Sequence, residues 1–198
     1  MQNDGYIKFN CDWIRAEPPE ERIISELNFY RSKLFILKLI GMDPNGVGFG
    51  NVSIRFKENQ FIISGTQTGS KEILQPNDYS LVTKFDIKKN YLECRGELEA
   101  SSESLTHGII YKSCTEANAV IHTHNYRIWR KLMNRVPATT QDAEFGTPEL
   151  AFEIEELFKK NNVNEERIII MGGHQDGIIT FGKDIEEAYN ILINNCEN

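Results

Sequence analysis

The sequence predicts an α/β fold in which helices cover a mostly antiparallel sheet. Three observations predict it: hairpin-like strand pairs recur along the chain, helical stretches alternate with them, and 198 residues suffice for one sizeable core. We therefore expect residues 1–198 to form a single domain. The composition, with 40% hydrophobic and 26% charged residues, is typical of a globular protein.

The first element is a helix. Pro18 and Pro19 are followed by two glutamates, and proline and acidic residues are both favoured in the first turn of a helix. Apolar residues then recur at helical spacing over 23–37. We expect this helix to end near Gly41, before Asp43-Pro44.

Two strand pairs follow a glycine-rich segment at 45–51. Runs at 52–56 and 61–64 flank a short polar stretch, and runs at 80–85 and 91–94 repeat the pattern. Both pairs indicate hairpins. The second half alternates helices and strands: helices over 103–113, 126–133, 148–160 and 185–194, and strands over 119–124, 167–171 and 178–181.

The charge and hydropathy patterns exclude some functions. With 29 acidic and 22 basic residues, the net charge of −7 disfavours non-specific nucleic-acid binding. Apolar stretches are too short for a transmembrane helix, and the N-terminus lacks the pattern of a signal peptide. We expect a cytoplasmic protein with neither a nucleic-acid nor a membrane partner.

Two histidines share one face of a predicted strand. Alternate side chains of a strand point the same way, so His122 and His124 lie together and can bind one metal ion. A hydrogen-bonded histidine pair without metal explains the pattern equally well. His174 lies in a glycine-rich turn, where a solvent-facing role is the alternative, and His107 on the predicted helix is interpreted as structural.

Glu103 follows Ser101-Ser102 at a predicted helix start. A helix cap accounts for all three residues. The alternative is that the serines bind a phosphate while the glutamate moves a proton near a metal. The small-residue segments 48–51 and 64–70 could also surround an anion with backbone donors, although they are equally typical of turns.

The order of these motifs resembles the class II aldolase/adducin family. A Gly-Asn turn precedes a strand, and Thr-x-Thr-Gly, Ser-Ser-Glu, the His-x-His strand and a glycine-flanked histidine follow in that order. The most persuasive stretches are 118–124 and 146–151. The resemblance implies a three-layer α/β/α fold with a mixed, mostly antiparallel central sheet.

The resemblance also implies a role for each site residue. His122, His124 and His174 would bind zinc, with manganese, cobalt or iron as alternatives. Glu103 would be the acid/base. A substrate phosphate would be held by Asn51, Thr68, Gly69, Ser101 and Ser102. A homotetramer is implied as well.

The implied activity is that of a metal-dependent lyase that cleaves a small sugar phosphate through a metal-stabilised enediolate. An epimerase, a dehydratase and a non-catalytic adducin-like binding module are the alternatives. Two departures bear on the choice. The segment 136–144 is shorter than in the aldolases and lacks their tyrosine, for which Gln141 is the nearest substitute, and Gln175-Asp176 lengthens the turn after His174.

Overall fold

The structure, a computed structural model, describes residues 7–160 and 162–197 and is organised around an eight-stranded sheet. The strands are β1 (Asn10–Ile14), β2 (Gly41–Met42), β3 (Gly48–Phe49), β4 (Asn51–Lys57), β5 (Gln60–Ser64), β6 (Tyr79–Asp86), β7 (Tyr91–Gly96), β8 (Ala119–His124), β9 (Ile168–Ile170) and β10 (Gly177–Gly182). The helices are α1 (Glu21–Ile36), α2 (Ser104–Ser113), α3 (Tyr126–Leu132), α4 (Pro148–Lys160), α5 (Val163–Glu166) and α6 (Ile185–Glu197).

The sheet is mixed and mostly antiparallel, as predicted. Its strand order is β1-β7-β6-β5-β4-β8-β10-β9. The β1–β7 pair is parallel and the other pairs are antiparallel. A separate hairpin joins β2 to β3.

Helices cover both faces of the sheet, which confirms the three-layer architecture. Alternate residues of one strand enter different apolar clusters: Phe61 and Ile63 pack on one face and Ile62 on the other. The first cluster includes buried residues of α2 and α4, and the second includes those of α1 and α6. The hydrophobic core therefore consists of two layers separated by the sheet.

Strand register brings three predicted site segments together. On one side of β8, Asn51 of β4 pairs with His122. On the other side, Gly177, which ends the turn after His174, pairs with His124. Central strands thus fix the backbone on which the site is built.

The first helix ends earlier than predicted. It ends at Ile36, and Lys38 adopts a left-handed conformation with φ of 58°. The backbone N–H of Leu39 then donates back to the carbonyl of Leu34 at 2.9 Å, so the chain turns and buries Leu39 and Ile40. Leu39 and Ile40, which the sequence placed in the last turn of the helix, are therefore buried outside the helix.

Some elements were not expected from the sequence. These are the edge strand β1, the short β2–β3 hairpin and the one-turn helix α5. Within residues 7–160 and 162–197, no helix combines the length and hydrophobicity that a membrane crossing requires. The single-domain organisation stays a prediction.

Candidate metal centre and adjoining cleft

Three imidazoles converge at the ends of β8 and β10. The Nε2 atoms of His122 and His124 lie 3.0 Å apart, and those of His124 and His174 lie 2.8 Å apart. Within the described residues, this is the one group of three or more His, Cys, Asp or Glu side chains close enough to share an ion. The sequence predicted this convergence.

Burial keeps these imidazoles neutral. It lowers the pKa of His122 to about 4, opposed by a hydrogen bond with the backbone of Ile178. Burial also lowers the pKa values of His124 and His174 well below the ordinary value, and repulsion from His122 adds to the shift. Neutral imidazoles are the form that binds metal.

The spacing of the nitrogens suits a divalent ion. Tetrahedral ligands at the usual Zn–N distance of about 2.0–2.1 Å lie roughly 3.3–3.4 Å apart. The two observed Nε2 separations, 3.0 and 2.8 Å, are a few tenths of an ångström shorter. Small ring rotations would therefore place all three nitrogens around one ion.

Glu103 immediately precedes α2 as its N-cap residue. Its side chain is 3% exposed, and the hydroxyl of Thr106 donates to Oε2 at 2.8 Å. Its carboxylate makes no side-chain cap, so the predicted capping role does not explain why it is buried. Ser101 and Ser102 are 6% exposed each and line the same cleft.

A second wall of the cleft comes from the loop after β5. The hydroxyl of Thr68 donates to the carbonyl of Gly65 at 2.9 Å, which shapes the loop. A Cβ added to Gly69 would lie 2.2 Å from the carbonyl oxygen of Gly41, so a larger residue would push the loop away from the β2–β3 hairpin. Close backbone packing therefore requires glycine here.

A buried arginine of α1 supports this loop from behind. The guanidinium of Arg31 donates to the carbonyl of Thr68 at 3.1 Å, to that of Glu72 at 2.8 Å and to that of Lys71. Only 1% of Arg31 is exposed. Nothing in the helical spacing of α1 distinguishes Arg31 as a loop contact, so sequence reasoning missed it.

All nine predicted site residues line one cleft of about 420 Å³, part of it open to solvent. We name its two ends by their residues. The histidine end comprises His122, His124 and His174, and the loop end comprises Asn51, Thr68, Gly69, Ser101 and Ser102. Glu103 lines the cleft together with both ends. The Oδ1 atom of Asn51 is buried without a hydrogen-bond partner among the described residues, so it can accept a hydrogen bond from a ligand hydroxyl.

Two aromatic rings also line the cleft, and sequence reasoning missed both. The ring of Phe145 lies 4.6 Å from that of His174 at an interplanar angle of 82°, and the ring of Phe49 lies 5.3 Å from that of His124. Gln141, the nearest substitute for the aldolase tyrosine, is exposed and lies outside the cleft lining. Near Gln141 in the sequence, the residue that contacts a candidate metal ligand, His174, is Phe145.

His107 lies behind the cleft, in agreement with its structural interpretation. It is fully buried, and its Nδ1 atom lies 2.7 Å from the hydroxyl of Ser53. That hydroxyl also lies 2.7 Å from the hydroxyl of Tyr111. These contacts link α2 to β4 beneath the site.

The chain is similar to known proteins over most of its length. The family model described as "Class II Aldolase and Adducin N-terminal domain" matches residues 41–195. An L-fuculose phosphate aldolase of Methanococcus maripaludis is 34% identical over 148 residues, which cover 71% of this chain and 76% of the relative. A probable L-ribulose-5-phosphate 4-epimerase of Mycoplasma pneumoniae is 32% identical over 77 residues, covering 39% and 30%.

Solved structures share the fold. An L-fuculose 1-phosphate aldolase superposes with a TM-score of 0.68 at 22% identity, covering 91% of this chain and 84% of the other. The L-fuculose-1-phosphate aldolase of Thermus thermophilus gives 0.65 at 21% identity, covering 90% and 91%. The chain therefore belongs to the class II aldolase and adducin family.

Proposed function

We propose that this protein is a metal-dependent lyase of the class II aldolase type that cleaves a small sugar phosphate. The observation that carries the proposal is the convergence of three neutral imidazoles, two of them buried and that of His124 partly exposed, in one cleft with the buried carboxylate of Glu103. Neutral nitrogen donors and a carboxylate able to move a proton are the two requirements of this chemistry.

His122, His124 and His174 would hold the ion, with zinc as the first candidate and manganese, cobalt or iron as alternatives. A divalent ion bound there would supply Lewis acidity that polarises a substrate carbonyl and stabilises developing negative charge. The protein surroundings strengthen that effect because burial of the histidine end excludes much of the solvent.

The remaining roles belong to side chains and backbone around the cleft. Glu103 would take the proton from the hydroxyl on the carbon that becomes the aldehyde as the carbon–carbon bond breaks, and would return it to the carbon of the other fragment, which receives the electrons of that bond. The five residues of the loop end would bind the phosphate with amide, hydroxyl and backbone donors. Fixing the phosphate orients the reacting carbon atoms relative to Glu103 and the histidine end.

Epimerisation is the second candidate, because one matched relative is named as a probable epimerase. The absence of a tyrosine from 136–144 favours it, since that aldolase residue protonates the leaving carbon. The three histidines and Glu103 weigh against an adducin-like binding module, which lacks the metal ligands. Dehydration is less well supported, because the dehydratases place their acid/base elsewhere.

The homotetramer and the cytoplasmic location stay predictions. The tetramer rests on the family resemblance, and light scattering of the purified protein tests it. A monodisperse monomer would contradict the expected assembly.

The decisive experiment is elemental analysis of protein purified without chelator or affinity metal. We expect about one zinc or similar ion per chain in the wild type, and its loss in His174→Ala, since removing even an outer-shell partner of a metal site weakens binding about 10- to 100-fold. Gln175→Ala is the matched control, because Gln175 is the exposed neighbour in the same turn.

Metal-loaded protein is then screened with ketose phosphates for cleavage and for epimerisation.

Either of two results would refute the metal centre. One is full metal retention in His174→Ala. The other is a wild-type protein that takes up none of the four candidate metals when they are supplied.

A further inference from the structure

The lining of the cleft offers no basic side chain beyond its three histidines. Among the described residues that line it, none is lysine or arginine, and one, Glu103, is acidic. A phosphate at the loop end would therefore meet hydroxyl, amide and backbone donors and a nearby carboxylate, and the one cation proposed within the cleft would be the metal ion at the histidine end.

Lys8, in the N-terminal segment, contacts Phe145, a residue of the cleft lining. Its neighbour Phe9 is buried in the same apolar cluster as Phe145, and the side-chain amide of Asn90 donates to the Lys8 carbonyl at 2.8 Å. The following residues form β1, which pairs in parallel with β7. The backbone of Lys8 is therefore held through its own carbonyl and through the residues that follow it.

The side chain of Lys8 follows the wall of the cleft. Its Nζ atom lies 3.8 Å from the ring centroid of Phe145, which lines the cleft. A Cβ added to Gly146, where φ is 66°, would lie 3.8 Å from Lys8 Cδ and 3.4 Å from the carbonyl oxygen of Ser102. The lysine stem and the backbone carbonyl of Ser102 therefore both lie close to Gly146.

The Lys8 ammonium is paired with an exposed carboxylate, that of Glu144, and can exchange it for another anion. Lys8 Nζ lies 3.3 Å from Glu144 Oε2, but the side chain of Glu144 is 69% exposed. Exposed ion pairs of this kind contribute little and are screened by salt.

We propose that Lys8 is a specificity-determining residue that exchanges Glu144 for the phosphate of the substrate and selects phosphorylated over neutral sugars. This inference rests on the proposed function, and it assigns the cation to a segment that precedes residue 41, where the family match begins. The lysine side chain carries the charge, and it lies against Phe145 and Gly146, close to Ser102.

Calorimetric titration of inorganic phosphate into the full-length protein, before and after zinc loading, tests this role. Lys8→Met should weaken phosphate binding about tenfold in both states, because a charge-assisted hydrogen bond is lost. Lys8→Arg should keep affinity within about threefold. Glu144→Gln should tighten binding, since it frees the ammonium, and Lys89→Met serves as the matched control because Lys89 is 78% exposed in an ion pair with Asp86.

The outcomes separate this proposal from the proposed function. Phosphate affinity within twofold of wild type in Lys8→Met overturns the role of Lys8 and leaves the phosphate site intact. A loss confined to zinc-loaded protein and matched by weaker zinc binding also overturns it, because Lys8 would then act on His174 through Phe145. A wild-type protein that binds no phosphate overturns both the phosphate site and Lys8, while elemental analysis judges the metal centre separately.

Discussion

The histidine end and the loop end of the cleft are built in different ways. Two residues of the histidine end lie on β8, a central strand paired on both sides, and the third lies in the turn that leads into its neighbour β10. The loop end combines three segments distant in sequence, namely the start of β4, the loop after β5 and the two residues before Glu103. One end relies on sheet pairing and the other on contacts between loops.

This difference shows where the support for each end comes from. The histidine end is held by strands within the family match at 41–195. The loop end also receives contacts from residues that precede the match: Arg31 binds three carbonyls of the Thr68 loop, and Lys8 packs beside Gly146 and Phe145. We infer that the chemistry of the site depends on the matched region, and that recognition of the substrate also depends on the N-terminal segment.

The largest expected effect comes from Glu103, which lies between the two ends. Glu103→Gln keeps the shape and hydrogen-bonding capacity of the side chain but cannot carry the proton. We expect turnover to fall about 10²- to 10⁴-fold with metal content and fold unchanged, measured by steady-state kinetics and elemental analysis. Glu116→Gln, a change at a 78% exposed carboxylate, should leave turnover unchanged.

Two results would change this assignment. Unaltered turnover would reduce Glu103 to a helix-cap residue. Loss of the metal together with turnover would place Glu103 in the histidine end as a ligand.

A smaller effect is expected from the buried arginine behind the loop end. Arg31→Met removes the donors to Thr68, Lys71 and Glu72 and leaves the carbonyl of the buried Thr68 without this partner. We expect the free energy of unfolding to fall by about 2–4 kcal/mol, and KM to rise more than kcat falls. Urea denaturation and steady-state kinetics check this, with Arg22→Met, an exposed change on the same helix, as the control. An equal change in kcat and KM would contradict the separation of the two ends.

The sequence predicts the histidine end far better than the loop end, for a physical reason. Strand alternation depends on local spacing, so β8 could be predicted at its observed bounds and His122 and His124 placed on one face. The roles of His174 and of the loop-end residues came from family resemblance, because residues in turns carry no spacing signal. The structure brings these residues into the same cleft, and the phosphate-binding roles of the loop-end residues stay predictions.

The residues that the sequence did not reveal act across long chain separations. Lys8 contacts Glu144, 136 residues away, and Arg31 contacts the loop that follows β5. Phe145 approaches His174 because the chain folds back between α3 and α4. Such contacts depend on tertiary packing, which no local periodicity encodes.

The smallest effect per group is a dependence of stability on pH, and between pH 7 and 6 it should arise from the buried histidines. The pKa of His122 is lowered to about 4, and that of the buried His107 lies well below the ordinary value near 6.5, in both cases through burial first. Between these pH values the unfolded chain binds protons that the folded chain does not, so stability is present above about pH 6.5 and is lost as pH falls towards 4.

For metal-free protein, lowering the pH from 7 to 6 should cost roughly 0.7 kcal/mol for each such imidazole, measured by urea denaturation at both values. His107→Gln should reduce this pH dependence by the contribution of one imidazole, although the variant is less stable at either pH. Arg31→Met should keep the wild-type dependence, because its guanidinium does not titrate in this range. A pH dependence that changes in Arg31→Met and persists unchanged in His107→Gln would contradict the assignment to the buried histidines, since the protons would then be taken up elsewhere in the molecule.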